Sequence, residues 1–254
     1  MCGRFGLIQT PRQVEELFGV MDVAAFPPLY NIAPTQPILM VMAGAARGPG
    51  SNLPERRPML VRWGLLPGWV KDPKAFPPLI NARSEEAADK ASFRAAMRHR
   101  RALVPASGFF EWRQVGPKEK QAYWVRPRSG GVIAFGGLME TWHEPGGSEI
   151  DTGAILTTAA NDDVGFIHHR MPVVVRPQDF ERWLDCRGSE PRDVADLMRP
   201  VEPGFFEAVP VSDRVNKVAN VGPENIEPVE AAEMPPADMQ KRPQAAADDQ
   251  LELF

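Results

Sequence analysis

The sequence predicts an α+β fold, in which one domain is built on a curled, largely antiparallel, barrel-like β-sheet flanked by short helices. Short runs rich in β-branched and aromatic residues recur along the chain, separated by Pro, Gly and Asn, which is typical of strands and turns. The few segments with helical periodicity do not alternate with these runs, so a doubly wound α/β fold is disfavoured. With 254 residues, 43% of them hydrophobic, the chain can bury one sizeable core.

The first predicted element is a short amphipathic helix. Thr10–Gln13 has the residues of a capping box, with proline at the first helical position. Val14, Leu17 and Phe18 then form one apolar face, and Gly19 ends the helix. The nine strands predicted after it are Ile38–Ala43, Met59–Trp63, Ala102–Val104, Gly108–Trp112, Ala122–Val125, Val132–Leu138, Ala154–Thr158, Val173–Val175 and Phe205–Val211. The helices predicted between them lie near Glu85–Arg98, Pro177–Leu184 and Pro191–Met198.

Two stretches fall outside this predicted core. Gly44–Pro58 is rich in Gly, Pro and Arg, which predicts a surface loop. Residues 230–249 consist mainly of Ala, Pro, Asp and Glu, which predicts a disordered tail. The predicted organisation is therefore one folded domain over residues 1–229, followed by an acidic tail over residues 230–254.

The charge of the chain is unevenly distributed. The net charge is −4, but residues 224–254 contain eight acids and two bases, which leaves 27 bases and 25 acids in residues 1–223. A basic patch crowds one short segment: Arg94, Arg98, His99, Arg100 and Arg101. Such a patch can bind phosphates even when the net charge of the whole domain is small, and it can equally be a solvated helix face.

Cysteine content and hydropathy indicate the cytoplasm. Cys2 and Cys186 are too few for a disulfide framework or a cysteine metal cluster, so we expect a reducing compartment and no metal site. No run approaches the length of a membrane span, and the N-terminus lacks the apolar stretch of a signal peptide. We expect neither a cofactor nor a membrane association.

The most reactive group is predicted at position 2. Methionine aminopeptidase removes Met1 when the next residue is small, which would leave Cys2 with a free α-amine beside its thiol. Reference pKa values of ~8 for the amine and ~8.5 for the thiol leave usable fractions of both unprotonated at neutral pH. An aldehyde can react with the amine to give a Schiff base and then with the thiol to close a thiazolidine. The same pair can instead serve an N-terminal-nucleophile hydrolase, in which the amine is the base for the thiol.

Six motifs and a short late segment carry a family resemblance. In chain order they are Cys2–Phe5, Tyr30–Thr35, Trp63–Trp69, Ile80–Glu85, Gly108–Trp112, Ile167–Pro172 and Val215-Asn216. Together they resemble the SRAP family, the SOS-response-associated peptidases, in the order in which that family has them. Six ordered motifs are far more specific than any one of them, so the chain is identified as a member of this family over about residues 2–228.

The resemblance implies an enzyme that captures abasic sites in single-stranded DNA covalently. Loss of a base leaves a deoxyribose whose ring-opened form is an aldehyde, the electrophile that an N-terminal aminothiol suits. A Schiff base alone invites strand cleavage, whereas thiazolidine closure by Cys2 shields the lesion. The implied class is a peptidase-type hydrolase or a lyase, with release by self-reversal or autoproteolysis. An N-terminal-nucleophile amidohydrolase and a non-catalytic clamp-associated adaptor are the alternatives.

Three residues are implied as catalytic partners of Cys2. Glu111 lies in a strand-like apolar run, where burial would raise its pKa and suit it to shuttle protons. His168 is assigned as the acid–base that opens the sugar, because an unperturbed pKa of ~6.5 allows both roles. Asn81 can hydrogen-bond the Cys2 amine or the sugar. A zinc site is disfavoured because adjacent histidines rarely converge on one metal.

The DNA contacts are expected from cations and aromatic residues in the same motifs. Arg83 lies two residues after Asn81 and can take a phosphate on the same side of a strand. Trp63 and Trp69 can stack on bases next to the lesion, and Trp69 is preferred. Asn31 either holds the N-terminal loop or touches the DNA backbone. The expected set is Arg4, Asn31, Trp69, Arg83, His169 and Arg170.

The last five residues form a separate motif. They resemble the bacterial sliding-clamp-binding motif, in which Gln250 and the apolar Leu251, Leu253 and Phe254 dock into a groove. The alternative is a frayed terminus that ends by chance in apolar residues. A clamp partner would hold the protein near exposed template strands at replication forks in the nucleoid. The protein is expected to be a monomer that binds single-stranded DNA.

Overall fold

Two curled sheets form the core of the computed structural model, which describes residues 2–45, 54–144 and 146–231. In chain order the strands are β1 (Phe5–Leu7), β2 (Leu29–Ile32), β3 (Pro37–Ala43), β4 (Arg56–Trp63), β5 (Asn81–Arg83), β6 (Arg101–Ala106), β7 (Gly108–Gln114), β8 (Lys120–Pro127), β9 (Ile133–His143), β10 (Glu149–Ala159), β11 (Arg170–Pro172), β12 (Val174–Val175) and β13 (Phe206–Val211). The smaller sheet has the order β13-β8-β7-β1-β2. The larger has the order β11-β10-β4-β3-β6-β9-β12, with β5 paired to β10. The pairings of β10 with β4 and β5 are parallel and the others antiparallel, so the predicted α+β fold with a curled sheet is confirmed.

Short helices lie outside the sheets. The capping box predicted for α1 (Pro11–Phe18) is present, because Gln13 and Thr10 exchange hydrogen bonds between side chain and backbone. Gly19 adopts a left-handed conformation, with a φ of 60°, that ends this helix. The other helices are α2 (Arg94–His99), α3 (Phe180–Leu184) and 3₁₀ helices at Pro177–Asp179, Pro191–Met198, Asp213–Asn216 and Pro223–Asn225.

The helix predicted over Glu85–Arg98 is wrong in its first half. Residues 84–93 are mainly turns, and α2 begins only at Arg94. The Ser84 N–H donates to the Thr157 carbonyl of β10 at 2.9 Å, which holds this segment against the larger sheet. A tertiary contact therefore overrides the local helix propensity.

Four short strands are absent from the prediction, namely β1, β2, β5 and β11. Each has only three or four residues, too few for an alternating pattern to be visible in the sequence. They exist because they pair with strands that are distant along the chain, as Asn81 of β5 does with Ile155 of β10. Three of these strands, β2, β5 and β11, carry predicted site residues, so their pairing positions the site.

The predicted loop and tail lie at the limits of the described residues. The loop expected over Gly44–Pro58 is shortened by β4, which begins at Arg56, and residues 46–53 lie outside the described part. The chain is described through residue 231, so the predicted clamp-binding segment Gln250–Phe254 also lies outside it. Among the described helices, none has the length and apolar character needed to cross a bilayer.

Aromatic packing between the sheets fixes the N-terminal strand. Phe5 of β1 meets Trp63 and Phe135 edge-on, at ring-centroid distances of 5.2 and 6.3 Å. Phe109 of β7 contacts the same Phe135 at 6.0 Å. Because β1 is paired on both sides, with β2 and with β7, the residues just before it are held in the interior. Cys2 is one of them, and its side chain is fully buried.

Candidate active site

Cys2 lies in the interior immediately before β1. Its thiol donates to the Arg4 carbonyl at 3.7 Å, and the Asn81 amide of β5 donates to the Cys2 carbonyl at 2.9 Å. Burial raises the pKa of the Cys2 thiol far above its usual range, and the negative charge of Glu111 adds to the rise. The thiol therefore needs a base nearby before it can act as a nucleophile.

Asn81 has one polar atom left for a further partner. The residue is buried, and its Oδ1 has no hydrogen-bond partner within the described residues. A buried polar atom left unpaired costs ~1–3 kcal/mol. A sugar hydroxyl, or the α-amine of a processed Cys2, would stabilise the site by donating to this oxygen.

Glu111 is directed inward by the alternation of β7. Phe109 and Glu111 share one face of the strand, and Phe110 packs on the other face against Trp124, with a ring-centroid distance of 4.7 Å. Glu111 is only 2% exposed, and burial raises its pKa above the ordinary carboxyl value, opposed in part by a hydrogen bond from the Trp112 backbone. A carboxyl group with a raised pKa exchanges protons closer to neutral pH, as an acid–base catalyst must.

His168 is held in one orientation by its own loop. The Arg170 N–H donates to His168 Nδ1 at 2.9 Å, and the Arg170 carbonyl lies 3.2 Å from the same nitrogen, so Nε2 is the ring nitrogen left to face a ligand. Burial lowers the pKa of His168 to about 4, so the ring is neutral at pH 7. His169 stacks on it at a centroid distance of 4.4 Å but is exposed. Of the two histidines, His168 has the fixed and partly buried ring that a catalytic group requires.

The loop that carries His168 covers the Glu111 face of the smaller sheet. Phe166 contacts Tyr123 edge-on at 5.6 Å, and Tyr123 lies directly opposite Glu111 on β8. The Arg113 guanidinium, two residues beyond Glu111 on the same face, lies 5.3 Å from the centroid of the Phe166 ring. These contacts bring the loop toward the site that Cys2, Asn81 and Glu111 form.

Asn31 is held by groups of its own chain. It is 4% exposed, and its Nδ2 lies 3.2, 3.1 and 2.9 Å from the carbonyls of Val215, Lys217 and Asn220. Its Oδ1 accepts from Arg4 Nη1 at 2.9 Å. The amide joins β2 to the segment after β13 and, through Arg4, holds the residues before β1, which supports the first of its two expected roles; its contact with the DNA backbone stays a prediction.

Within the described residues, the positively charged side chain of Arg4 contacts only neutral groups. Besides Asn31, its guanidinium donates to the carbonyls of Val215 at 2.6 Å and Asn216 at 3.3 Å. No carboxylate in the described part of the chain lies within ion-pair distance of it. A half-buried cation without a counter-ion attracts an anion, so Arg4 stays a candidate for a phosphate.

Arg170 is engaged in contacts within the protein. Its guanidinium makes a bidentate ion pair with Glu85, with both distances 2.8 Å, and donates to the Thr157 carbonyl at 2.6 Å. It thereby fixes the end of the His168 loop against β10. Arg83 is more accessible: its side chain is 31% exposed, and its pair with Glu86 is long, at 3.4 Å.

The two tryptophans of the third motif have different positions. Trp63 is fully buried and donates to the Ile80 carbonyl at 2.9 Å, so it is a core residue and not a base-stacking one. Trp69 is 55% exposed and contacts Phe76 edge-on at 5.6 Å. An exposed indole supported from below by a second ring is suited to stacking on a base.

Sequence reasoning missed three residues of the site: Phe166, Arg113 and Tyr123. Strand alternation could have placed Arg113 on the Glu111 face, because the two are separated by two positions. Nothing local could have placed Phe166 against Tyr123, since 43 positions separate them along the chain. Their contact depends on the tertiary fold.

Comparisons with known proteins agree with the motifs. The family model of the SOS response associated peptidase (SRAP) matches residues 1–218. The chain is 36% identical over 230 residues to the abasic site processing protein YoqW of Bacillus subtilis, covering 89% of this chain and 99% of that protein. It is 34% identical over 237 residues to the abasic site processing protein YedK of Escherichia coli, covering 90% and 100%. It is 34% identical over 229 residues to the abasic site processing protein HMCES of Gallus gallus, covering 80% and 67%.

The fold is also found among solved structures. A protein from Bacteroides thetaiotaomicron aligns with a TM-score of 0.74 at 22% identity, covering 90% of this chain and all of that one. The family match includes the motifs that carry Cys2, Asn81, Glu111 and His168, which confirms the resemblance seen in the sequence. The chain belongs to the SRAP family of SOS response associated peptidases.

Proposed function

We propose that this protein captures abasic sites in single-stranded DNA as a covalent adduct of the mature Cys2. The observation that carries the proposal is the meeting of three groups in one buried site. Asn81 donates to the Cys2 carbonyl at 2.9 Å. The Phe110 N–H donates to the Arg4 carbonyl at 2.9 Å, which brings the next residue of β7, Glu111, beside the residues before β1. Relatives aligned over almost their whole length are named abasic site processing proteins, which supports this substrate.

The proposed chemistry begins when removal of Met1 frees the Cys2 amine. The amine adds to the C1′ aldehyde of the ring-opened sugar, and the carbinolamine loses water to give a Schiff base. The thiol then adds to the imine carbon while its proton passes to the nitrogen, which closes a five-membered thiazolidine without any change of oxidation state. Because the imine is consumed, β-elimination is blocked and the strand stays intact. Reversal of the same steps, or autoproteolysis, would release the DNA.

Glu111 and His168 supply the proton transfers. With its raised pKa, Glu111 is suited to take a proton from the amine or thiol and to return it to the departing hydroxyl. His168 has a pKa of about 4, so it acts at neutral pH as a neutral ring that donates its Nε2–H to a sugar oxygen. This differs from the two-way role expected of an unperturbed histidine. General acid–base catalysis of this kind contributes ~10²–10⁴ in rate.

We propose that the DNA strand binds across the opening of this site. Arg4 and Arg83 would take backbone phosphates, Trp69 would stack on a neighbouring base, and His169 would lie at the edge of the strand. Arg170 would act indirectly, by holding the loop that carries His168. Binding through phosphates would make the affinity fall with salt.

The decisive experiment incubates the protein with a single-stranded oligonucleotide that carries one abasic site and resolves the products on a denaturing gel. We expect a heat-stable adduct whose intact mass corresponds to a chain beginning at Cys2, and no adduct from Cys2→Ala. Cys186→Ala is the matched control, because it removes the other cysteine and should crosslink like the wild type. Glu111→Gln should crosslink ~10²–10⁴ times more slowly.

Two results would overturn the proposal. One is an adduct of undiminished yield from Cys2→Ala, and the other is an adduct on protein that retains Met1. A glutaminase assay on the same preparation, with and without abasic DNA, examines the amidohydrolase alternative. Glutaminase activity without any crosslinking would favour that alternative.

The protein partner and the location within the cell are also proposals. We propose that the last five residues, Gln250–Phe254, bind the bacterial sliding clamp and hold the catalytic domain near replication forks. Support comes from the composition of the tail, in which large aliphatic residues are almost confined to this segment. A pull-down with the purified clamp tests the idea on full-length and truncated protein.

A further inference from the structure

A concave site lies away from Cys2, at one end of the larger sheet. It is a cavity of about 630 Å³ between the end of β3, the second half of β9 and the turn that follows α3. Its β9 residues, Met139 and Thr141, pair with Gly153 and Asp151 of β10. Arg83 and Arg170, near the proposed active site, pair with β10 at Thr157 and Ala159, toward its opposite end.

The lining of this cavity is strongly basic. Four arginines and one histidine line it, against a single aspartate: Arg57, His99, Arg100, Arg101, Arg187 and Asp185. Three residues of the basic patch seen in the sequence, His99, Arg100 and Arg101, therefore line this cavity. The alternative interpretation of the patch, a solvated helix face, does not account for this position. Cations that line a concave wall reinforce one another, because low-dielectric walls concentrate their field.

The strongest single observation concerns Arg101. Its side chain is 1% exposed, and its guanidinium donates only to backbone carbonyls, those of Met97, Trp183, Asp185 and Ser189, at 2.7 to 3.2 Å. No carboxylate in the described part of the chain lies within ion-pair distance of it. Its hydrogen bonds are satisfied but its charge is not neutralised, so it imposes a positive potential on the cavity that it lines.

The rim adds cations that are available to a ligand. Arg57 and Arg187 are exposed, and neither guanidinium has a hydrogen bond or ion pair within the described residues. Arg100 pairs with Glu140, yet its Nε is buried without a hydrogen-bond partner in the described chain. The one lining acid, Asp185, accepts backbone N–H groups of the turn, and its single negative charge leaves the four-arginine lining positive overall.

We propose that this cavity binds a phosphoryl group, either of a DNA backbone or of a free phosphate compound. Guanidinium groups match phosphate oxygens in geometry and charge, and Arg57 and Arg187 can close on the group from two sides. The buried charge of Arg101 attracts it. The site is separate from Cys2 and does not depend on the crosslinking chemistry.

Isothermal titration of the full-length protein with pyrophosphate tests the proposal. We expect saturable binding by the wild type and at least a tenfold loss in Arg57→Glu/Arg187→Glu, whose two side chains are exposed and hold no structural contact. Arg128→Glu is the matched control: this arginine is exposed on the β8–β9 turn, outside the cavity, and should leave the affinity within twofold. Absence of saturable binding by the wild type, or an equal loss in the control, would overturn the proposal.

A second arm identifies the source of the phosphate. The affinity for single-stranded DNA is measured against salt, and a DNA occupant predicts that the log–log slope of the double variant falls by ~0.7 for each lost contact. An unchanged slope together with lost pyrophosphate binding assigns the cavity to a free phosphate compound. Cys2→Ala should bind pyrophosphate like the wild type, so failure of this proposal and failure of the crosslinking proposal are distinguishable.

Discussion

Replacing Asn31 by alanine should destabilise the fold rather than remove a DNA contact. The substitution deletes three hydrogen bonds to backbone carbonyls and one that Arg4 donates. Neutral hydrogen bonds contribute ~0.5–1.5 kcal/mol each, and one to a charged group ~1.5–3 kcal/mol. Two of the carbonyls keep another donor, because Val215 still accepts from Arg4 and Asn220 still accepts from Asn225. We therefore expect a loss of about 3 kcal/mol, below the simple sum.

Urea unfolding followed by tryptophan fluorescence measures this loss. The matched control is Asn216→Ala, an exposed asparagine of the same region whose side chain accepts one hydrogen bond, from Trp112 at 2.8 Å. The control should lose no more than ~1 kcal/mol. DNA affinity is then compared where both variants are folded. If Asn31→Ala kept the wild-type stability but bound DNA tenfold more weakly, the structural role assigned to Asn31 would be wrong.

Three further predictions concern pH, salt and the tail. Because the folded pKa of His168 is about 4, below the unfolded value of ~6.5, the unfolded chain takes up a proton first as the pH falls. The free energy of unfolding should therefore fall by ~1–2 kcal/mol between about pH 6.5 and 4, because the ring is partly exposed. His168→Gln should lose ~1–2 kcal/mol less over this pH range, and a pH profile identical to that of the wild type would contradict the reasoning. Arg83→Ala should reduce the log–log salt slope of single-stranded DNA binding by ~0.7, and an unchanged slope would remove Arg83 from the DNA path. Deletion of Gln250–Phe254 should abolish retention by the clamp while leaving crosslinking intact; equal retention of both proteins would refute the motif.

The sequence by itself determined the reactive residue, the family and most of the strands. The aminothiol chemistry of Cys2 requires only its position after Met1, and ordered motifs identify a family without any coordinates. Runs such as Val132–Leu138 are long enough to carry a strand signal of their own, and β9 was found in this way. The capping box of α1 was equally legible, because all its contacts lie within four residues.

Only the tertiary structure decided which partner each polar group has. Asn31 reaches carbonyls more than 180 positions away, and Arg170 pairs with Glu85 across 85 positions, so no local pattern could indicate these partners. The pKa changes of Glu111 and His168 also follow mainly from burial, which results from sheet packing and not from neighbouring residues in the sequence. The basic segment around Arg101 became a candidate site for the same reason. Only the fold determines which of its charges are paired with a carboxylate and which line a cavity.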